Sequence, residues 1–269
     1  MKLEPIVTGL TFPEAPRWHD GRLWFSDFYS HAVYATDLTG SCETIVEVPG
    51  QPSGIGWLPD GDLLVVSMLD QAVLRLRDGV LSAHAKLAPL VRDKCNDMIV
   101  LPDGSAFVGN FGFDPYGEEP RPTTLVRLGP DGTPSIAAHD LQFPNGMALI
   151  DGGRVLVVAE SVAQGLTAFD IAADGSLSNR RVFAQTPGCQ PDGICVDVDG
   201  SVLVTTMTCN QLVRFTADGR HMATYDLGVA VWACAVSGAG DILVCTSPVA
   251  GKADCQRERG GAVQRLVLD

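Results

Sequence analysis

The sequence predicts an all-β fold, a single-domain six-bladed β-propeller over residues 1–269, because turns that contain glycine recur at a regular spacing. Each turn follows a short apolar strand, and the last glycines of the six turns are Gly21, Gly61, Gly104, Gly153, Gly200 and Gly240. They are 40, 43, 49, 47 and 40 residues apart, a period typical of propeller blades. No long helical pattern competes with this interpretation, since 29 glycines and 17 prolines interrupt the chain.

A second series of strands alternates with these turns, and most of its members also run into a turn that contains glycine. Each repeat is therefore predicted to form a four-stranded antiparallel blade. The last repeat lacks a fourth strand after Asp269, whereas an apolar strand at residues 5–10 precedes the first repeat. We expect this N-terminal strand to complete the last blade, because that closes the ring and removes an exposed sheet edge.

One position of the repeat carries an unusual set of side chains. It lies eight residues before the last glycine of each turn, seven in the first repeat, and is occupied by Glu14, Ser53, Asn96, Asn145, Asp192 and Trp232. If the repeats close into a ring, these six axial residues meet near one point at the start of the innermost strands. Glu14, Asn96, Asn145 and Asp192 supply hard oxygen donors, which favour Ca²⁺, Mg²⁺ or Mn²⁺ over the usual Cys/His zinc site. The spacing therefore predicts a divalent metal site.

Composition excludes several classes of function. The net charge of −13, with 32 acidic and 19 basic residues and no basic cluster, argues against nucleic-acid binding. No apolar stretch is long enough for a transmembrane helix, and the first residues lack the pattern of a signal peptide, so a cytoplasmic protein is expected. Eight cysteines without a CxxC pair are expected to be free thiols rather than disulfides or zinc ligands.

Four short motifs carry a resemblance to a known family. They are residues 13–18 (PEAPRW), the Asn96-Asp97 pair after a basic residue, residues 144–146 (PNG) and residues 191–193 (PDG). Over essentially its whole length the chain resembles the SMP-30/gluconolactonase/LRE family. The resemblance implies a six-bladed propeller with one divalent cation on its axis, most commonly Ca²⁺, with Zn²⁺, Mn²⁺ or Mg²⁺ as alternatives. It also implies that Glu14, Asn145 and Asp192 are metal ligands, and that Asn96 is a ligand or contacts substrate.

The reaction that the resemblance implies is the hydrolysis of a lactone. A metal polarises the lactone carbonyl, and a carboxylate accepts a proton from the attacking water. The resemblance assigns that base to Asp192, although a carboxylate bound to a metal is a weak base. Asp97 is a second candidate, with the alternative that its carboxylate is buried in a turn and bonded to backbone N–H groups.

The predicted substrate contacts differ from those of sugar lactonases. Lys94 stands where those family members have an arginine, and lysine cannot make the planar bidentate contact that arginine makes with hydroxyls. The long insertion at residues 109–122 offers Phe111, Phe113 and Tyr116, whose alternative role is ordinary packing. Together with Trp232, these side chains favour a hydrophobic or aromatic lactone or ester, with a sugar lactone as the other option. Ser53 is a further predicted substrate contact.

Two alternative functions remain open at this stage: a phosphotriesterase-like hydrolase, and a calcium-binding propeller that binds ligands without catalysis. A Ser-His-Asp triad is disfavoured, because the chain has no Gly-x-Ser-x-Gly motif and none of its five histidines occupies an axial position. The expected partner is a small molecule rather than a nucleic acid or a membrane, and the protein is expected to be a monomer or dimer.

Overall fold

The computed structural model describes residues 1–268 and contains six four-stranded antiparallel sheets. Blade 1 consists of β2 (Pro13–His19), β3 (Arg22–Asp27), β4 (Ala32–Thr36) and β5 (Glu43–Glu47). Blade 2 consists of β6 (Pro52–Trp57), β7 (Leu63–Ser67), β8 (Ala72–Arg77) and β9 (Val80–Lys86). Blade 3 consists of β10 (Cys95–Val100), β11 (Ala106–Asn110), β12 (Thr123–Leu128) and β13 (Pro134–Leu141). Each blade follows the chain from its innermost to its outermost strand.

The second half of the ring repeats this arrangement. Blade 4 consists of β14 (Pro144–Ile150), β15 (Val155–Glu160), β16 (Gly165–Ile171) and β17 (Leu177–Gln185). Blade 5 consists of β18 (Pro191–Val196), β19 (Val202–Thr206), β20 (Gln211–Phe215) and β21 (His221–Asp226). Blade 6 consists of β22 (Val231–Val236), β23 (Ile242–Thr246), β24 (Gly261–Val267) and the N-terminal strand β1 (Lys2–Leu10). The predicted six-bladed all-β propeller is confirmed.

The N-terminal strand closes the ring as the sequence predicted. β1 pairs antiparallel with β24, so that Lys2 lies opposite Val267 and Leu10 lies opposite Gly261. The innermost strands pack against one another in the order β2, β6, β10, β14, β18, β22, and β22 returns to β2. Strands β7, β11, β15, β19 and β23 are buried along their whole length. Because each blade lies between two neighbouring blades, these strands are covered on both faces, and most of the side chains on both faces are apolar.

Every innermost strand contains a bulge at its axial residue or, in β2, directly after it. In β14, for example, Pro144 pairs with Glu160 and Met147 pairs with Val158, so that β14 uses one residue more than β15. The other five inner strands show the same one-residue excess. A bulge bends a strand and re-aims the side chain at that point. The repeated bulge bends each inner strand near its axial residue, at the same end of the channel.

The residue after the axial position is small in most blades, because the inner strands approach closely there. A Cβ added at Gly146 would lie 2.5 Å from the backbone oxygen of Asp192, and one at Gly193 would lie 2.6 Å from Cα of Ala233. At Gly54 the same atom would lie 2.2 Å from the backbone N of Met98. These glycines therefore let one inner strand pack on the backbone of the next.

Substitution of Gly146 by Ala is expected to destabilise the ring. The new methyl group meets backbone atoms, which cannot rotate away, so the cost is about 1–3 kcal/mol and roughly 2–4 °C in Tm for each kcal/mol. Thermal unfolding followed by circular dichroism measures the effect. Gly117→Ala is the matched control, because its Cβ would make only an ordinary contact, at 3.4 Å from Asp114 Oδ2. Equal Tm values for the two variants would contradict the proposed packing role.

One expectation about the chain is corrected. Cys189 and Cys209 form a disulfide, although all eight cysteines were expected to be free; the loop before β18 and the turn after β19 bring their Cα atoms to 5.6 Å. The insertion at residues 248–260 contains a helix, α1 (Lys252–Glu258), which is too short to produce a helical pattern in the sequence. Among residues 1–268, no helix has the length and hydropathy needed to cross a membrane.

Candidate active site

One end of the channel opens into a cavity of about 680 Å³. Five of the six axial residues line it: Glu14, Asn96, Asn145, Asp192 and Trp232. Ser53 is buried behind the lining, where its hydroxyl donates a long hydrogen bond of 3.5 Å to Asn96 Oδ1. The repeat position therefore does bring the four predicted oxygen donors to one cavity, whereas Ser53 contacts one of these donors instead of the cavity.

Hydrogen bonds fix the orientation of the Asn145 amide. The hydroxyl of Ser161 donates to the backbone oxygen of Pro191 at 2.7 Å, so its oxygen is available to accept a bond from Asn145 Nδ2 at 3.2 Å. The amide oxygen of Asn145 is thus left as the free acceptor. Ser161 also lines the cavity. Ser161 was not predicted as a site residue, because it follows the second strand of its blade and lies outside the axial position of the repeat.

The two axial carboxylates are held in an unfavourable environment when no cation is present. Burial raises the pKa of Glu14 to about 8, and the nearby Asp97 charge adds to the rise. Burial also raises the pKa of Asp192 well above its usual value, and the charges of Glu14 and Asp97 contribute further. The Glu14 side chain keeps partial contact with solvent through the cavity, so this carboxylate is accessible to an ion. Buried like charges of this kind are neutralised by protons or by a bound cation.

The donor set fits a hard divalent cation. Two carboxylates and two amides supply only oxygen ligands, the type that Ca²⁺, Mg²⁺ and Mn²⁺ prefer. Within residues 1–268, no group of three or more His, Cys, Asp or Glu side chains is arranged to bind a metal. The four residues in this cavity that could hold such an ion are Glu14, Asn96, Asn145 and Asp192, and water or substrate would complete its coordination.

Asp97 lies outside the cavity and has other partners. Arg17 Nη2 donates to both of its carboxylate oxygens, at 2.7 and 3.0 Å, and the backbone N of Met98 donates to Oδ1 at 2.7 Å. Arg17 also donates to the backbone oxygen of Met98 at 2.9 Å. This ion pair joins the inner strands of blades 1 and 3. Arg17 thereby binds the Asp97 carboxylate, which was the second candidate for the catalytic base. Arg17 and Asp97 are 80 residues apart, so their pairing left no trace in the sequence pattern.

The predicted substrate contacts lie around the cavity. Lys94, Phe111, Phe113, Tyr116 and Trp232 all line it. Lys94 Nζ lies 5.6 Å from the centre of the Phe111 ring, and Trp232 donates from its indole N–H to the backbone oxygen of Ser247 at 3.1 Å. Tyr116 is 77% exposed and stands at the rim.

Several lining residues escaped the sequence analysis. They are mostly aromatic or apolar and come from the connections between strands: Phe12, Phe28, Tyr29, Met68, Leu69, Phe143 and Met207. Phe28, Met68 and Met207 each directly follow the second strand of a blade, seven residues after the turn glycine, as Phe111 does. This second position of the repeat would have identified them. A search for aromatic residues directly before each inner strand would have found Phe12 and Phe143.

Residues 12–248 match the model of the SMP-30/gluconolactonase/LRE-like region. An L-arabinolactonase from Azospirillum brasilense is 27% identical over 249 residues, which cover 89% of this chain and 82% of that protein. This relationship extends over most of both proteins.

Two solved structures share the fold. A gluconolactonase from Xanthomonas campestris superposes with a TM-score of 0.80 at 23% identity, covering 98% of this chain and 88% of that one. A regucalcin from Agrobacterium tumefaciens, described as a calcium-binding protein, has a TM-score of 0.81 at 19% identity, covering 99% and 93%. The family match spans most of the sequence, and the same propeller holds the axial oxygen donors in one cavity. The chain belongs to the SMP-30/gluconolactonase/LRE-like family.

Proposed function

We propose that this protein is a hydrolase that opens lactones at the axial site, with one divalent cation held by Glu14, Asn96, Asn145 and Asp192. The observation that carries the proposal is the pair of buried carboxylates beside two amides in an open cavity. Relatives named as an L-arabinolactonase and a gluconolactonase support the reaction class. Ca²⁺ is the first choice of cation, because the donors are all oxygens and a structural neighbour is described as calcium-binding.

The cation and Asp192 are proposed to have different roles in the reaction. A cation bound there supplies Lewis acidity, which polarises the lactone carbonyl. Asp192 is proposed as the base: its carboxylate accepts a proton as the water oxygen bonds to the carbonyl carbon. The ring C–O bond then breaks, and the departing oxygen takes the proton that Asp192 accepted, which gives the free hydroxy acid.

Other groups orient the reactants. Ser161 fixes the Asn145 amide so that its oxygen points away from the Ser161 hydroxyl, and Ser53 contacts the Asn96 amide. The aromatic side chains around the cavity exclude water from the bound lactone, which strengthens the electrostatic interactions inside the site. Asp97 has no role in this scheme beyond its charge, because Arg17 holds it outside the cavity.

Removal of divalent cations is expected to abolish lactone hydrolysis. Protein treated with EDTA should lose activity on a panel of lactones, measured by acid release, and regain it with Ca²⁺, Mn²⁺ or Zn²⁺ added in excess. Activity that survives complete chelation would contradict the metal-dependent site. Hydrolysis of phosphotriesters but of no lactone would favour the phosphotriesterase alternative, and cation binding without any hydrolysis would favour the non-enzymatic propeller.

The proposal extends to the state of the protein in the cell. We propose a monomer or dimer that acts on a small molecule. The predicted cytoplasmic location stays a prediction, and the Cys189–Cys209 disulfide argues for a compartment that is not strongly reducing.

A further inference from the structure

We infer that the cavity selects a planar aromatic ring that carries a negative charge, so that its substrate is an anionic aromatic lactone. Calling this ligand a substrate rests on the proposed lactone hydrolysis, whereas the class of ligand follows from the cavity alone. Two observations carry it: aromatic side chains on opposite sides of the cavity, and a lysine in the cavity that has no anionic partner.

The first aromatic wall comes from the junction of blades 6 and 1. It consists of Phe12, Phe28, Tyr29 and Trp232, all of which line the cavity. Phe12 lies at its centre, with ring centroids 4.7 Å from Trp232, 5.3 Å from Phe28 and 5.7 Å from Tyr29. Trp232 cannot turn away freely, because its indole N–H is bonded to Ser247. The result is a continuous aromatic surface whose rings are held by one another.

The second aromatic wall comes from the junction of blades 3 and 4. Phe143, directly before β14, is stacked on Phe111 at 4.4 Å and meets Phe113 edge-on at 5.8 Å. Phe111 and Phe113 belong to the long insertion after β11. In a ring of six blades, the junction of blades 3 and 4 lies opposite the junction of blades 6 and 1. The two walls therefore lie on opposite sides of the cavity, and each offers a surface on which an aromatic ring can stack.

The charge preference follows from Lys94. Its Nζ lies 5.6 Å from the centre of the Phe111 ring, at the edge of the second wall. Within residues 1–268, this ammonium group makes no salt bridge and no side-chain hydrogen bond, although Glu14 and Asp192 line the same cavity. A lysine that is half-buried against an aromatic ring gains most from an anion delivered by a ligand. Lysine binds such an anion as a point charge, without the planar fork that arginine offers to neighbouring hydroxyls.

A comparison of three lactones tests the substrate class. They are dihydrocoumarin with a carboxylate on its benzene ring, dihydrocoumarin itself, and glucono-1,5-lactone, which is neutral and not aromatic. We expect kcat/KM to fall in that order. Lys94→Gln should lower kcat/KM for the carboxylate by about tenfold to a hundredfold, the usual loss when a charge-assisted contact is removed, and lower it much less for dihydrocoumarin, which carries no anion. Lys86→Gln, on an outer strand of blade 2, is the matched control and should change neither.

Binding without turnover separates this inference from the proposed reaction. The probe is the lactam of the same carboxylated ring, in which N–H replaces the ring oxygen, and calorimetry measures its Kd. Binding that weakens in Lys94→Gln and in Phe143→Leu, but not in Lys86→Gln, supports the ligand class even if no lactone is hydrolysed. Preferred hydrolysis of glucono-1,5-lactone, with no lactam binding, would overturn the inference while the proposed lactonase reaction stands. Equal losses on charged and neutral aromatic lactones in Lys94→Gln would also overturn it.

Discussion

Replacement of Asp192 by Asn is expected to lower lactone hydrolysis by about 10³-fold, within the range of losses for a catalytic acid or base. Asn keeps the shape of the side chain but neither accepts the proton of the attacking water nor supplies a negative charge to a cation. The same substitution should raise the Tm of the cation-free protein at pH 8. Burial and the Glu14 charge make the ionised Asp192 unfavourable in the fold, and the neutral amide removes that cost.

The sign of the stability change distinguishes a functional carboxylate from a structural one. Asp192 has a raised pKa in the folded state, so the stability of cation-free protein falls as pH rises above the usual value of an aspartate. Thermal unfolding in EDTA at pH 8 measures the gain in Asp192→Asn, at roughly 2–4 °C for each kcal/mol relieved. Asp20→Asn, at the exposed turn between β2 and β3, is the control and should change neither activity nor Tm. Unchanged hydrolysis, or a lower Tm in EDTA, would refute the assigned role of Asp192.

The repeat made the ring and the axial site predictable from the sequence. Propeller geometry ties a position in the repeat to a position in space, so the spacing of the turn glycines was enough to locate Glu14, Asn96, Asn145 and Asp192. Each inner strand also contains a bulge near its axial residue, and in blade 1 this bulge directly follows Glu14. Closure by β1 followed from counting strands, since one blade lacked a partner and one strand lacked a blade.

Features that cross between blades were not predictable in this way. The Arg17–Asp97 ion pair joins blades 1 and 3, and the Cys189–Cys209 disulfide joins a connecting loop to a turn. Neither pair shares a repeat position, and free thiols were the reasonable expectation for a chain thought to be cytoplasmic. Only part of the two aromatic walls was predictable from the sequence. The position of Trp232 in the repeat identified it, whereas Phe143 lies in a connection of irregular length.

The stabilisation that Ca²⁺ gives to the protein is expected to grow steeply with pH. In cation-free protein the pKa of Glu14 is raised to about 8 from 4.5. Its contribution to stability is therefore fully present below pH 4.5 and is lost as pH rises through about 8. Ca²⁺ binds the ionised carboxylates, so below pH 8 it must displace protons. We expect Tm in EDTA to fall between pH 5.5 and 8.5, and the shift in Tm caused by Ca²⁺ to increase over the same range.

Proton release gives an independent measure of the same coupling. Calorimetric titration of Ca²⁺ at pH 6.5, in buffers of different ionisation enthalpy, should show up to two protons released, and affinity should rise about tenfold per pH unit for each proton displaced. Glu14→Gln is the control, because it leaves only Asp192 to titrate and should reduce the release by about one. A Tm in EDTA that rises with pH, or Ca²⁺ binding without proton release, would show that the two carboxylates are not neutralised together. Glu14 and Asp192 are both proposed to hold the cation. The rate of hydrolysis and the Ca²⁺-dependent rise in Tm should therefore increase over the same acidic pH range, and both pH profiles should shift together in Glu14→Gln.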